Sequence, residues 1–253
     1  MGTLALGCRR RPPRAGGRTQ LQGLQSTEIR TERRISLIEP TARRTRAPIY
    51  HLKVVLDGLK APIWRRLQVP GNANLGWLHA VLQVAMGWTN SHLHQFKVGG
   101  ACYSDPRHLF AEFEDDPEIF DEAKFTLQQL APREQDTLGY EYDFGDSWEH
   151  EIAVERILPP DATAAKLAVC LAGARACPPE DCGSTSGYEN LLNILKNRKH
   201  PEHKAMQEWL GRPFDAAAFD VANTNTWLRQ LKWPRVTEGQ LRKVLLAQGG
   251  YHE

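Results

Sequence analysis

Residues Tyr140–Glu151, YEYDFGDSWEHE, constrain the fold more than any other stretch of this chain. Leu138, Tyr140, Tyr142 and Phe144 alternate with Gly139, Glu141 and Asp143. After the turn Phe144-Gly145-Asp146-Ser147, the residues Trp148, His150, Ile152 and Val154 alternate with Glu149, Glu151, Ala153 and Glu155. A period of two on both sides of a glycine turn excludes a helix and predicts a half-buried hairpin. The second arm places His150 on the apolar face beside Trp148 and Ile152. The same stretch gathers Asp143, Asp146 and His150, the densest group of side chains able to do chemistry.

The flanking sequence supplies strands and helices to pack with it. Ile49–Asp57 and Ile63–Val69 alternate in the same way across the loop 58–62 and predict a second antiparallel hairpin, with Arg65 and Arg66 on opposite faces. Asn74 is a suitable N-cap for a helix through Leu75, Leu78, Leu82 and Ala85 that stops at Gly87, with His79 on the flank of its apolar stripe. A strand near His92 would put His92, His94 and Phe96 on one face, and two imidazoles so spaced can meet one metal ion. Residues 99–122 read as a long connection whose acidic crowd, Glu112 to Glu122, is expected to be solvated. The Ala-rich run 161–171 is expected to be helical, and further helices are expected over 188–197, 202–210, 225–232 and 238–247. Thr237 and Gln240 form a capping-box pattern at the start of the last of these. The fold class is therefore α+β: an antiparallel or mixed sheet built from hairpins, with helices packed on it, in a single compact domain.

Charge divides the chain. Residues 1–47 hold eleven Arg, no Lys and three Glu, a net +8; with +2 for the whole chain, the other 206 residues carry −6. Residues 1–47 are expected to be a disordered Arg-rich N-terminal extension. Any nucleic-acid contact should run through that extension, because an acidic body is a poor phosphate binder. Composition, 41% hydrophobic and 25% charged, is that of an ordinary globular protein. No stretch suits a membrane span. Five cysteines, an odd count, predict free thiols and a cytoplasmic setting. Cys177 and Cys182 are separated by four residues with no second pair following, a poor zinc pattern, so their Pro-rich loop is expected to fold against the central hairpin.

Three motifs, MGWTNSHLHQF (86–96), YDFGDSWEH (142–150) and GARACPPEDCGSTSGYENLL (173–192), resemble the plasmid pRiA4b ORF-3-like family in order and spacing. The resemblance runs from about Ile49 to Trp233. It implies a family domain over 48–234 followed by a C-terminal helical tail, 235–253. It also implies an α+β domain without an established activity, often found with mobile elements. Some members carry a TnpR-type label, but no serine-recombinase pattern accompanies it here. One departure stands out: the family usually has two glycines after the second cysteine, and here Gly183 is followed by Ser184.

Nucleotide-binding loops, a nucleophile elbow and a His-Glu-x-x-His zinc motif are absent from the sequence. The expected function is a mobile-element-associated binding or accessory domain, with a protein partner left open and no cofactor expected. The alternative is a metal-assisted enzyme using Asp143, Asp146, His150, His92 and His94, for which a metal ion stays open.

Overall fold

A computed structural model describes residues 46–107, 119–161 and 167–249. Strands β1 (Ile49–Leu56) and β2 (Ile63–Pro70) pair antiparallel from Ile49↔Pro70 to Leu56↔Ile63. Leu52, Val54, Leu56, Ile63 and Leu67 point into the core, and the alternation carries Arg65 inward with them. Arg66 faces the other way and makes a two-point ion pair with Glu155 at 2.5 and 2.8 Å. Helix α1 (Leu75–Met86) opens at Asn74, whose Oδ1 accepts from the Trp77 amide at 2.8 Å, and closes at Gly87 in the left-handed region, φ 90°. Apart from Gly76, every residue of α1 is buried, because apolar side chains occupy nearly its whole circumference.

The chain continues through β3 (His94–Val98), β4 (Ala101–Ser104), β5 (Ile119–Asp121), a 3₁₀ turn at Glu122–Lys124, and the short α2 (Leu127–Leu130). The central hairpin follows as β6 (Thr137–Tyr142) and β7 (Trp148–Leu158), with Tyr142 opposite Trp148 and Leu138 opposite Ile152. Leu138, Tyr140, Tyr142, Trp148, His150, Ile152 and Val154 are all buried, as the alternation requires. Then come β8 (Val169–Ala174), α3 (Ser184–Lys196), α4 (His203–Leu210), α5 (Val221–Leu228) and α6 (Glu238–Gln248). The strands form one eight-stranded sheet in the order β5-β4-β3-β6-β7-β1-β2-β8. Every pairing is antiparallel except β4 with β5, so the sheet is mixed. With its helices it makes one compact α+β domain around a single core. Helix α6 belongs to that core: Leu241 and Leu245 are buried, and Gln248 Nε2 donates to Val84 O at 3.0 Å.

The expectation of a helix over 161–171 is corrected where the residues are described. Val169–Ala174 is an edge strand on β2. An open sheet edge outweighs alanine's weak helical preference. The new edge is itself partly closed by Asn225 of α5, which donates to Cys170 O at 2.8 Å and accepts from Cys170 N at 2.7 Å, a strand's pair of bonds made by one amide. The acidic segment 112–118 and the extension 1–45 lie outside the described residues. The thiol expectation is also corrected: Cys170, Cys177 and Cys182 are free, but Cys102 is disulfide-bonded.

Gly183 and Ser184 both sit in the left-handed region, with φ of 88° and 65°. L side chains are disfavoured there by about 1–2 kcal/mol. Ser184→Gly is expected to raise stability by roughly 0.5–1 kcal/mol after glycine's larger chain entropy is offset. Urea unfolding reads this directly; a lower midpoint would mean that the Ser184 side chain contributes more than its backbone costs.

Candidate functional site

Three loops that are distant in sequence are tied together by one buried carboxylate. Glu180 accepts from Thr89 N at 3.0 Å, from Thr89 Oγ1, and from the Tyr142 hydroxyl at 2.5 Å. Tyr142 in turn accepts from Ser91 N at 3.0 Å, Asp143 N donates to Leu93 O at 2.8 Å, and Trp88 Nε1 donates to Pro178 O at 3.1 Å. Burial, reinforced by the charge of Glu180, raises the Tyr142 hydroxyl far above an ordinary phenol, so it remains a donor. A carboxylate held by several donors tolerates burial that would otherwise be costly. The loops before β3, after β6 and after β8 are thereby fixed relative to one another.

Their tips meet at His92, Asp143 and Asp181. His92 Nε2 lies 3.6 Å from Asp143 Oδ2 and 3.3 Å from Asp181 Oδ1. One donor atom from each residue fits within 4.8 Å of the others. Asp143 Oδ1 is used internally, accepting from Gly145 N at 3.0 Å and Asp146 N at 3.3 Å, which aims Oδ2 at His92. Asp143 and Asp181 hold φ of 60° and 58°, and nearby Asn90 holds 59°. Left-handed non-glycine residues gathered at one place are the kind of local strain that functional sites retain.

His92 and Asp143 line a cavity of about 770 Å³ together with His94, His79, Glu122, Arg107 and Arg235. On its inner wall the His79 and His94 rings stack at 3.5 Å, almost parallel. His94 Nε2 donates to Glu122 Oε2 at 2.8 Å, and both side chains are buried. Gly76 makes room for that acid, since a Cβ there would stand 3.0 Å from Glu122 Oε1. His79 belongs to a closed ring of hydrogen bonds. Gln83 Nε2 donates to Tyr140 Oη at 3.1 Å, Tyr140 donates to His79 Nδ1 at 3.0 Å, His79 Nε2 donates to Asn90 Oδ1 at 2.6 Å, and Asn90 N returns to Gln83 Oε1 at 2.9 Å. This ring assigns His79 its Nε2–H tautomer. Burial and the neighbouring His94 push the His79 imidazole down to about 3, so it is neutral.

Of the residues singled out in the sequence, the cavity brings together His92, His94 and Asp143. Asp146 and His150 are not on its wall. Asp146 Oδ2 accepts from Gly183 N at 3.1 Å, and His150 is buried with Nδ1 donating to Tyr140 O at 3.2 Å and its ring edge-on to Trp88. β3 begins only at His94, so His92 sits in the preceding loop and the two imidazoles have different partners. Cys177 is buried, accepting from Arg65 Nη2 at 3.4 Å and donating to Met86 Sδ at 3.3 Å. Burial raises its thiol, and burial with the charge of Asp146 pushes the Cys182 thiol up to about 12. Neither is a thiolate, and neither joins the His92 group. Sequence reasoning missed Asp181, Glu180, Glu122 and His79. The pair Glu180-Asp181 stands inside the Cys-Pro-Pro motif, and that was its available signal.

The family model described as "Plasmid pRiA4b ORF-3-like protein" matches residues 48–223. The chain is 37% identical over 196 residues to the uncharacterized protein y4hQ of Sinorhizobium fredii (strain NBRC 101917 / NGR234), covering 75% of this chain and 96% of that one. It is also similar to the crystal structure of MM3350, a protein of unknown function from Methanosarcina mazei Go1, with a TM-score of 0.60 and 35% identity over 71% of this chain and 98% of that one.

Proposed function

The chain belongs to the plasmid pRiA4b ORF-3-like protein family, and from that premise we propose that it is a mobile-element-associated binding or accessory domain whose 770 Å³ cavity takes a small polar ligand. The mobile-element setting rests on the family resemblance. The binding role rests on one observation: the three motif loops are locked together by buried Glu180, and His92, His94 and Asp143, from two of them, face one cavity. A concave site with few, convergent and pre-fixed polar groups is the usual form of a small-ligand site. Among the described residues, no helix is long and apolar enough to cross a membrane.

The test is retention. Purified protein is equilibrated with a filtered small-molecule extract, separated by gel filtration, and denatured; released compounds are identified by mass. Leu93→Trp runs in parallel, because Leu93 is exposed at the cavity and a larger ring there narrows it. A polar compound retained by the wild type and lost from the variant is expected. Equal retention by both, or by neither, overturns the proposal.

The second reading, metal-assisted chemistry, has one observation in its favour: the His94–Glu122 pair shares the cavity with His92 and Asp143. An acid–base pair near cation ligands is the arrangement that such chemistry uses. A retained compound that is converted during incubation favours this reading, and one recovered unchanged favours binding.

A further inference from the structure

We infer that His92 Nε2, Asp143 Oδ2 and Asp181 Oδ1 form a binding site for a first-row divalent cation at the cavity mouth, an inference that rests on reading this cavity as the binding site. The geometry carries it. Four-coordinate metal–nitrogen and metal–oxygen bonds of about 2.1 Å imply donor–donor separations of about 3.4 Å. The separations of His92 Nε2 from the two carboxylates, 3.6 and 3.3 Å, bracket that value. His92 Nε2 is shielded from solvent yet makes no hydrogen bond, so both carboxylates approach the imidazole without engaging it. Asp143 Oδ1 is held by two backbone amides, the outer-shell support that orients a ligating carboxylate. Each of the three family motifs supplies one donor.

The donor set selects the cation class. One imidazole and two carboxylates suit zinc, manganese, iron(II) or cobalt, and there is no thiolate to favour soft ions. The three donors leave at least one coordination position for solvent or for a ligand in the cavity. Asp181, with a side chain 66% exposed, is the donor through which an ion would arrive from solvent.

The competing explanation is that a protonated His92 simply bridges two acids. The two are separated by stripping the full chain with a chelator and titrating it with cobalt(II), followed by its visible spectrum, and with zinc, followed by melting temperature. A single saturable equivalent is expected, with a cobalt spectrum of low coordination number and a melting temperature that rises with zinc. Asp181→Asn and His92→Gln are expected to weaken the affinity at least about tenfold. Asp181→Asn should leave the melting temperature of the metal-free protein unchanged, because that side chain is largely in solvent. Absence of stoichiometric binding, or binding that both variants leave intact, overturns the inference. A chain that binds no cation yet retains a polar compound overturns the cation site alone and leaves the cavity reading standing.

Discussion

Trp148→Ala is expected to destabilise the protein by about 3–5 kcal/mol, the range for removing a fully buried tryptophan. Trp148 has no exposed surface, stands opposite Tyr142 across the central hairpin, and lies 6.3 Å from the Trp88 ring. Tyr142 and Trp88 stack on each other at 4.8 Å, and both reach the loop that carries Glu180. A cavity at Trp148 would therefore loosen the candidate site as well as the core. One term opposes the loss. Trp148 Nε1 is buried without a hydrogen-bond partner, and truncation removes that donor, worth about 1–3 kcal/mol. Trp148→Phe, which removes the donor and keeps most of the ring, should therefore cost much less than Trp148→Ala. Urea unfolding with an unchanged m-value measures both. A cost below about 1 kcal/mol for the alanine variant would mean that the ring carries little of the core's packing.

The hairpin was legible in the sequence because its signal is local. Period-two alternation fixes which side chains face inward, and Trp148, His150, Ile152 and Val154 follow it. The caps at Asn74, Gly87 and Thr237 were legible for the same reason: each needs only residues within one turn. The β8 strand was not, because its alanines favour a helix and its pairing with β2 spans about a hundred residues. In the sequence Glu122 is one of an acidic crowd, and nothing within a few residues reveals that it turns inward to His94. The candidate site shows the same limit. His92 and Asp143 carry recognisable chemistry, but their meeting with Asp181 depends on Glu180 tying three loops together, and that tie exists only in three dimensions.

Acidification from pH 6.5 to about pH 4.5 is expected to cost about 5 kcal/mol of stability, through two buried imidazoles. Burial lowers His79 to about 3, with His94 adding to the shift. Burial lowers His150 to about 4 against the opposing pull of its backbone hydrogen bonds, and the charge of Arg65 adds slightly to the lowering. An unfolded chain protonates both near pH 6.5. Between the folded and unfolded values the unfolded state therefore binds more protons, and stability falls as pH falls. It is fully present above about pH 6.5 and declines by up to about 1.4 kcal/mol per pH unit for each imidazole. The lowered acids leave this window clear, whereas Asp57, raised by burial and then by the charges of Glu151 and Glu149, works in the opposite direction as it protonates in the folded state. In Glu155 the hydrogen bond from Arg66 lowers the carboxyl; in Glu141 burial alone would raise it, but hydrogen bonds from Lys97 and Gln95 prevail and lower it. Their contributions are lost only below the ordinary carboxylate range, about pH 4.5. A loss of 5 kcal/mol is comparable to the whole stability of many domains, so unfolding near pH 4.5 is the expected result without denaturant. His150→Leu should roughly halve the slope of stability against pH, whatever it does to stability at pH 7. Urea midpoints that stay level from pH 7 to pH 5 in the wild type would mean that both imidazoles accept protons in the folded state, and the closed hydrogen-bond ring around His79 would then not hold it neutral.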